Sequence, residues 1–392
     1  MNELKTIRMI EAADLEDIAT GGAILGTGGG GDPYIGKLMA QQAIRKHGPV
    51  RLVDVEGFAD DALIAPVCMM GAPTVMTEKL PQGDEIVVAL RKLEKFMGRK
   101  VDGLLCGEAG GINSTTPFVA AAATGLPLID GDGMGRAFPE LQMTTFGMCG
   151  VAATPMVLGD DKGNSVVLET IDNRWTERLA RSATVDMGGS ALLAFYPMDG
   201  AKAKASTVRG TLSLCADLGR TLVAARARHA DPVEAIRAAL GAEIIFTGRV
   251  KDVLRRTIGG FARGEADIEG LETFRGRRLR LAFQNEFLIA ERDGQPIVTT
   301  PDMITLLEAE TGAPVTADGM RYGVRVAALA YPCAAAWRTE QGVRLVGPRY
   351  FGYDLDYRPF VAERVEAIGG CETTGGDGSA GRATSRAWQE SR

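Results

Sequence analysis

The sequence predicts an α/β N-terminal part on a mostly parallel sheet, followed by a β-rich α+β C-terminal part. Three observations carry this. Through the first 160 residues, short apolar β-type runs alternate with helix-patterned stretches, the order expected of strands joined by crossover helices. From residue 243 the apolar period drops to two, and turn signals such as Asp293-Gly294 separate the runs. The 392 residues are 45% apolar and 24% charged, enough apolar material for a sizeable core in a two-domain chain.

Taken in order, helical spacing predicts a helix over 13–25, then a glycine run, then a helix over 33–46. Asp32 suits the N-cap of that second helix and Pro33 its first position. Apolar runs predict strands at 50–55, 62–67, 101–106 and 126–130, with helices at 83–97 and 116–124 between them. A strand at 166–171, a helix at 173–185 and a strand at 191–196 follow. The Ala-, Leu- and Arg-rich stretch 201–229 reads as one helix and 232–240 as a second. Strands are expected at 244–253, 277–287, 287–292, 296–299, 321–329 and 342–346, with one short helix near 302–310, where Asp302 is a first-turn acid. The domain reading is an α/β domain over 1–170, a mainly helical connecting segment over 171–242, a β-rich domain over 243–368 and a disordered tail over 369–392.

Composition also excludes. With 44 Lys+Arg against 50 Asp+Glu the net charge is −6, which argues against nucleic acid as a partner. The only histidines, His47 and His229, sit at expected helix ends, so Ser-His-Asp hydrolysis and His-based zinc motifs have no residues to build them. The six cysteines form no CxxC pair and read as small buried hydrophobes. Residues 1–17 lack a signal-peptide core, and the uncharged stretches 109–129 and 141–159 are too rich in Gly, Thr, Pro and Asn to span a membrane. The expectation is a cytoplasmic protein without a membrane partner, with a homo-oligomer as the base-rate state.

Glycine is the compositional anomaly, at 50 residues. Three loops concentrate it. In Gly26-Thr27-Gly28-Gly29-Gly30-Gly31-Asp32-Pro33, bare amides lead into a helix N-terminus, a setting that suits a phosphate or carboxylate. No Gly-Lys-Ser/Thr follows, so this is not a P-loop, and the run follows a helix rather than a strand, so it is not a dinucleotide fingerprint. The loops Cys106–Thr115 and Asp130–Arg136 each leave an expected strand at its carboxyl end, where open α/β sheets bind ligands. They carry Glu108, Asn113, Ser114, Asp130, Asp132 and Arg136. For Asp130 a helix cap competes evenly with a functional role. Asn285-Glu286, in mid-strand, is a weaker signal.

The stretches GTGGGGDP (26–33), GEAGGINS (107–114), DGDGMGRAFPELQM (130–143), FTGRVKDVLRRTIGGFARG (246–264), FQNEFLIAERDG (283–294) and PDMITLLEAETGAPV (301–315) together resemble the S-methyl-thiohydantoin desulfurase-like family, found beside hydantoinase/oxoprolinase proteins. The resemblance runs from residue 1 to about 365. It implies a two-part fold and chemistry on five-membered cyclic ureide or thioureide rings, with a hydantoinase/oxoprolinase-type protein as a partner. Combined with the residue reading, it suggests catalytic Glu108, Asp130 and Asp132, with Glu108 or Asp132 as general base. The Gly28–Gly31 amides, Asp32, Asn113, Ser114 and Arg136 would bind substrate. A divalent metal on Glu108, Asp130 and Asp132, with Cys106 or Cys149 as a softer ligand, is an alternative way to activate water. The rival readings are a non-catalytic small-ligand partner of a hydantoinase-type enzyme, and an ATP-using enzyme.

Overall fold

The computed structural model describes residues 4, 6–71, 83–258 and 261–361. The tail expected at 369–392 lies outside them. Eighteen strands lie in these residues. In chain order they are β1 (Thr6–Ile10), β2 (Val50–Val53), β3 (Leu63–Gly71), β4 (Gly103–Cys106), β5 (Leu128–Ile129), β6 (Gly131–Asp132), β7 (Met156–Gly159), β8 (Ser165–Leu168) and β9 (Ser190–Ala194). Then come β10 (Met198–Asp199), β11 (Val208–Arg209), β12 (Glu243–Ile258), β13 (Phe261–Gly270), β14 (Arg278–Gln284), β15 (Glu286–Arg292), β16 (Gln295–Thr299), β17 (Met303–Glu308) and β18 (Arg325–Tyr331).

The first sheet has the order β1-β2-β5-β4-β3-β9-β7-β8, with β10 beside β3. It is mixed rather than mostly parallel. Only β2, β5, β4 and β3 run parallel. β1 is antiparallel to β2, and the pairs β3/β9, β9/β7 and β7/β8 are antiparallel too. Apolar runs reveal that strands are buried but not their direction. The chain leaves β5 through a long irregular loop instead of a crossover helix, and it returns reversed. Strands β9 and β10, beyond residue 170, complete this sheet. The central strand β3 is buried at eight of its nine positions, as a strand covered on both faces should be.

The helices α1 (Asp14–Leu25), α2 (Tyr34–His47), α3 (Glu85–Met97) and α4 (Thr116–Thr124) cover the sheet. Asp32 Oδ1 accepts from the Tyr34 amide at the start of α2, one residue later than expected. The stretch expected as one helix over 201–229 is two, α7 (Gly200–Ser206) and α8 (Thr211–Ala227), after α5 (Thr145–Met148) and α6 (Asn173–Asp186). Between α7 and α8, β11 pairs with β6, and Gly210 in the left-handed region restarts the helix. α1 packs tightly on α8: a Cβ on Gly21 would lie 1.9 Å from the Cys215 carbonyl oxygen. Gly21→Ala must therefore push two helices apart, and we expect a loss of about 1–3 kcal/mol in chemical denaturation.

The second sheet, β16-β15-β14-β13-β12-β18-β17, is wholly antiparallel. α9 (Pro232–Leu240) leads into it, as the spacing predicts. Two expectations in this half are corrected. Within 302–310, Met303–Glu308 form strand β17, not a helix: the short apolar stretch Met303-Ile304-Thr305-Leu306-Leu307 carries no helix-versus-strand signal, and pairing with β18 decides. Residues 342–346 form helix α10 (Glu340–Val346), not a strand, started by Thr339 Oγ1 accepting from the Gly342 amide at 3.1 Å. Asp302 is no helix acid. It is fully buried and accepts from the amides of Cys333 and Phe360, the Tyr357 hydroxyl and the Arg338 guanidinium. Besides β17, strands β1, β6, β7, β10, β11 and β13 are additional to those expected. Among the described residues, no helix is long and apolar enough to cross a membrane.

Candidate active site

The turn after β4 carries Glu108 to the carboxyl end of the parallel strands. Asn113 fixes it there. Its Oδ1 accepts from the Met69 amide at 2.7 Å, and its Nδ2 donates to the Met69 carbonyl at 3.0 Å and to Glu108 Oε1 at 2.8 Å. Asn113 thus ties one Glu108 oxygen to the end of β3. Glu108 is half-buried, and burial pushes its carboxyl up to about 7; the Asn113 hydrogen bond opposes this and nearby Asp132 adds to it.

Facing it from the other sheet is Glu286, at the start of β15. Asn285 takes φ of 58°, a left-handed conformation Asn tolerates, and its Oδ1 accepts from the Ala262 amide at 2.8 Å. This turn directs Glu286 into the gap between the two halves. Glu286 is 2% exposed. The Gly30 amide donates to it, yet Oε2 has no hydrogen-bond partner. Burial raises its carboxyl well above the ordinary range; Glu108 raises it further and Arg136 counters.

The glycine loop lies between these acids, stitched to both halves of the molecule. The Thr27 carbonyl accepts from the Phe287 amide and the Gly28 carbonyl from the Ala317 amide, each at 2.7 Å. The Gly30 carbonyl accepts from Ile112 at 2.9 Å. A Cβ on Gly29 would sit 2.0 Å from Glu286 Oε1, so only glycine lets the loop pass this carboxyl. The amides expected to meet a ligand anion are partly engaged within the chain: Gly29 donates to the Gly26 carbonyl and Gly30 to Glu286. Gly29, Gly30, Gly31, Glu108, Asn113 and Glu286 line one cleft, with Met70, Phe138, Leu141 and Phe195 as its apolar wall.

The other residues singled out from sequence lie outside this cleft. Asp132 is fully buried and accepts from the amides of Ala109 at 2.7 Å, Gly135 at 2.9 Å and Met134 at 3.2 Å, so it braces the loop behind Glu108. Asp130 caps the start of α8, accepting from the Ser213 amide at 3.0 Å and the Ser213 hydroxyl at 2.5 Å. Ser114 donates to the Gly111 carbonyl at 2.7 Å. Arg136 is fully buried behind the glycine loop, donating to Thr27 Oγ1 at 2.7 Å. Gly28 lies against the Phe287 ring, and Asp32 lines a separate hollow beside α1 and α2.

Among the described residues, no group of three or more His, Cys, Asp or Glu side chains is placed to hold a metal ion. The carboxylate triad considered for a metal is dispersed, with Asp130 on Ser213 and Asp132 on backbone amides. Cys106 is buried and donates to the Glu108 carbonyl at 2.9 Å, and Cys149 lies in a different groove.

The raised carboxyls of Glu108, Asp132 and Glu286, with Asp130 and Asp318 raised as well, make stability pH-dependent. Glu108 and Asp132 both rise to about 7 and Glu286 rises well above its ordinary value. A group whose folded pKa exceeds its unfolded value stabilises the fold below the unfolded pKa, and that contribution is lost as pH rises through the folded pKa. The melting temperature should therefore fall between pH 5 and pH 8, and a Glu286→Gln protein should show a shallower fall. A melting profile rising over this window would contradict the assignment of these groups as buried acids.

Glu286 is the functional candidate that sequence reasoning weighted least. Its signal was an acid directly before the apolar run 287–290 of an expected strand, where burying a carboxyl costs free energy unless it has a use.

No curated protein matches this chain. A crystal structure of a protein from Chromobacterium violaceum aligns with 90% of this chain and 100% of its own, at a TM-score of 0.74 and 26% sequence identity. The model of the S-Me-THD-like N-terminal domain matches residues 13–170 and that of the S-Me-THD-like C-terminal domain residues 171–360. The chain, from its first helix to the last described segment, belongs to the S-Me-THD-like family.

Proposed function

We propose that the chain is a hydrolase of desulfurase type that replaces sulfur by oxygen at C2 of a small S-methyl-thiohydantoin ring. The observation that carries this reading is the pair Glu108 and Glu286, one carboxyl from each half, in a glycine-walled cleft. Two carboxyls with displaced pKa values are the equipment for acid–base work without histidine. Glu108, titrating near neutrality, removes a proton from water as its oxygen bonds to C2. Glu286, held in its acid form by burial, gives its proton to the ring nitrogen and makes C2 more electrophilic. Restoring the C2 carbonyl breaks the C–S bond. Methanethiolate leaves with the proton held by Glu108, and the hydroxyl proton returns to Glu286. The products are hydantoin and methanethiol, and both carboxyls end as they began. The Asn113 amide and the Gly30 amide hold the two carboxyls in position throughout.

The test is thiol release from S-methyl-thiohydantoin by the wild-type chain and by Glu286→Gln. We expect turnover by the first and a fall of about tenfold to a hundredfold in kcat for the second, since Gln keeps the acceptor for Gly30 but carries no acid proton. Binding of the ring without thiol release by the wild type would make the chain a ligand-binding partner instead, and unchanged kcat in Glu286→Gln would remove the acid from the mechanism.

A further inference from the structure

The charge of the cleft points to the charge of its ligand. Four acids line it, Glu108, Glu140, Glu286 and Asp318, against a single cation among the described lining residues, Arg181. That cation is engaged. Its guanidinium pairs with Glu177, donates to the Pro139 carbonyl at 3.1 Å and stacks on the Phe261 ring at 4.2 Å. Arg136, the next nearest candidate, is closed off behind the glycine loop by Thr27, Pro301 and Asp302. Glu140 is also occupied, by the Tyr350 hydroxyl at 2.7 Å and by Gln142. What remains for a ligand is acceptor capacity. Glu286 Oε2 is a buried carboxyl oxygen with no partner, and Glu108, on the opposite side, accepts from the Asn113 side chain and the Phe138 amide, fewer hydrogen bonds than its two oxygens can take. An anionic ligand would set its charge against the Glu108 carboxylate and would oppose ionisation of Glu286. A ring with a basic nitrogen would take the Glu286 proton, and the cation so formed would satisfy the unpartnered oxygen and offset the charge left on the two carboxylates.

We infer that the cleft takes its ring as a cation, a five-membered amidinium or isothiouronium whose N–H groups pair with Glu108 and Glu286, in preference to neutral or anionic rings of the same size. This rests on the reading of the cleft as a ring-binding site. It extends the ligand class beyond S-alkylated hydantoins to cyclic guanidinium rings, which present the same N–C–N edge with amine in place of sulfur. It also assigns Glu286 a role in specificity: the proton it delivers to a basic ring nitrogen creates the charge that both carboxylates then hold. A ring without such a nitrogen gains nothing from this exchange.

The experiment is calorimetric titration at pH 8 with three probes of similar size. These are 2-methylthio-imidazoline (an isothiouronium cation), hydantoin as the neutral ring, and hydantoin-5-acetic acid as the anion. The cation should bind at least about tenfold more tightly than hydantoin, and the anion should give no measurable heat. Glu286→Gln should lose that preference by about tenfold. Glu108→Gln, at the opposite wall, serves as the second variant, and melting curves show that each is folded. Equal affinity for anion and cation would overturn the inference, as would a preference that survives both substitutions. Its failure is separable from that of the proposed reaction. Selective cation binding with no thiol release leaves this inference standing and sinks the desulfurase reading, whereas thiol release with no charge preference does the reverse.

Discussion

Glu108→Gln lowers kcat for thiol release from S-methyl-thiohydantoin by at least about a hundredfold, the usual contribution of a positioned general base, while the protein stays folded. Gln is isosteric and can still accept the 2.8 Å hydrogen bond from Asn113, so the turn after β4 keeps its shape. What disappears is the ability to take a proton. Stability should be unchanged or slightly higher above pH 7, because burial disfavours the Glu108 carboxylate and the neutral amide escapes that cost. The pH profile adds a second readout. Because the base must be ionised, wild-type activity should fall as pH drops through about 7, and the residual activity of Glu108→Gln should lack that limb. Asp132→Asn separates the two acids. Asp132 faces three backbone amides and the Thr211 side chain, away from the cleft, so its replacement should lower the melting temperature without abolishing kcat in the folded fraction. Normal kcat in Glu108→Gln, with activity lost in Asp132→Asn, would exchange their roles.

The comparison of these acids shows what the sequence made legible. Both sit among glycines after a strand, and nothing local distinguishes them. The difference is tertiary. Asp132 lies in β6, whose pairing with β11 turns it inward to gather three amides, whereas Glu108 is held at the cleft by Asn113. Local signals did place most helices, because Gly98 and Gly241 in the left-handed region end helices where a glycine follows the apolar stripe. They could not resolve 302–310, where the short apolar stretch around Thr305 fits either state, nor 201–229, where a two-residue strand interrupts a helical composition. The two-part fold was also visible, since the apolar period itself changes near 243. Strand direction was not, because it depends on how the chain returns after β5. Glu286 shows the same limit at the site: its partner acid lies 178 residues earlier in the chain (286 − 108), and only the packing of the two sheets brings them together.

Arg136 is where that packing is most exposed to a single change. Its guanidinium joins three separate segments: Nη2 donates to Thr27 Oγ1 at 2.7 Å, Nη1 to the Pro301 and Asp302 carbonyls at 2.5 and 3.2 Å, and Nε to the Ala137 carbonyl at 3.0 Å. Its charge stacks 4.4 Å from the Phe138 ring, and burial, partly offset by Glu286, lowers its pKa from the usual arginine value. Arg136→Ala strands buried carbonyls on both halves and opens a cavity between them, and should cost about 3–5 kcal/mol in chemical denaturation. Arg136→Lys should recover little of this, because a single ammonium cannot match a planar group bonded in three directions. The effect must reach the cleft as well. Thr27 leads directly into Gly28–Gly31, and the Gly30 amide is the donor that holds Glu286. Stability and thiol release should therefore fall together in Arg136→Ala, unlike in Glu108→Gln, where only turnover falls. If Arg136→Ala kept wild-type stability and lost only activity, the guanidinium would be a substrate ligand, as the sequence alone suggests, and the interlocking of the two halves would rest on the backbone hydrogen bonds of the glycine loop alone.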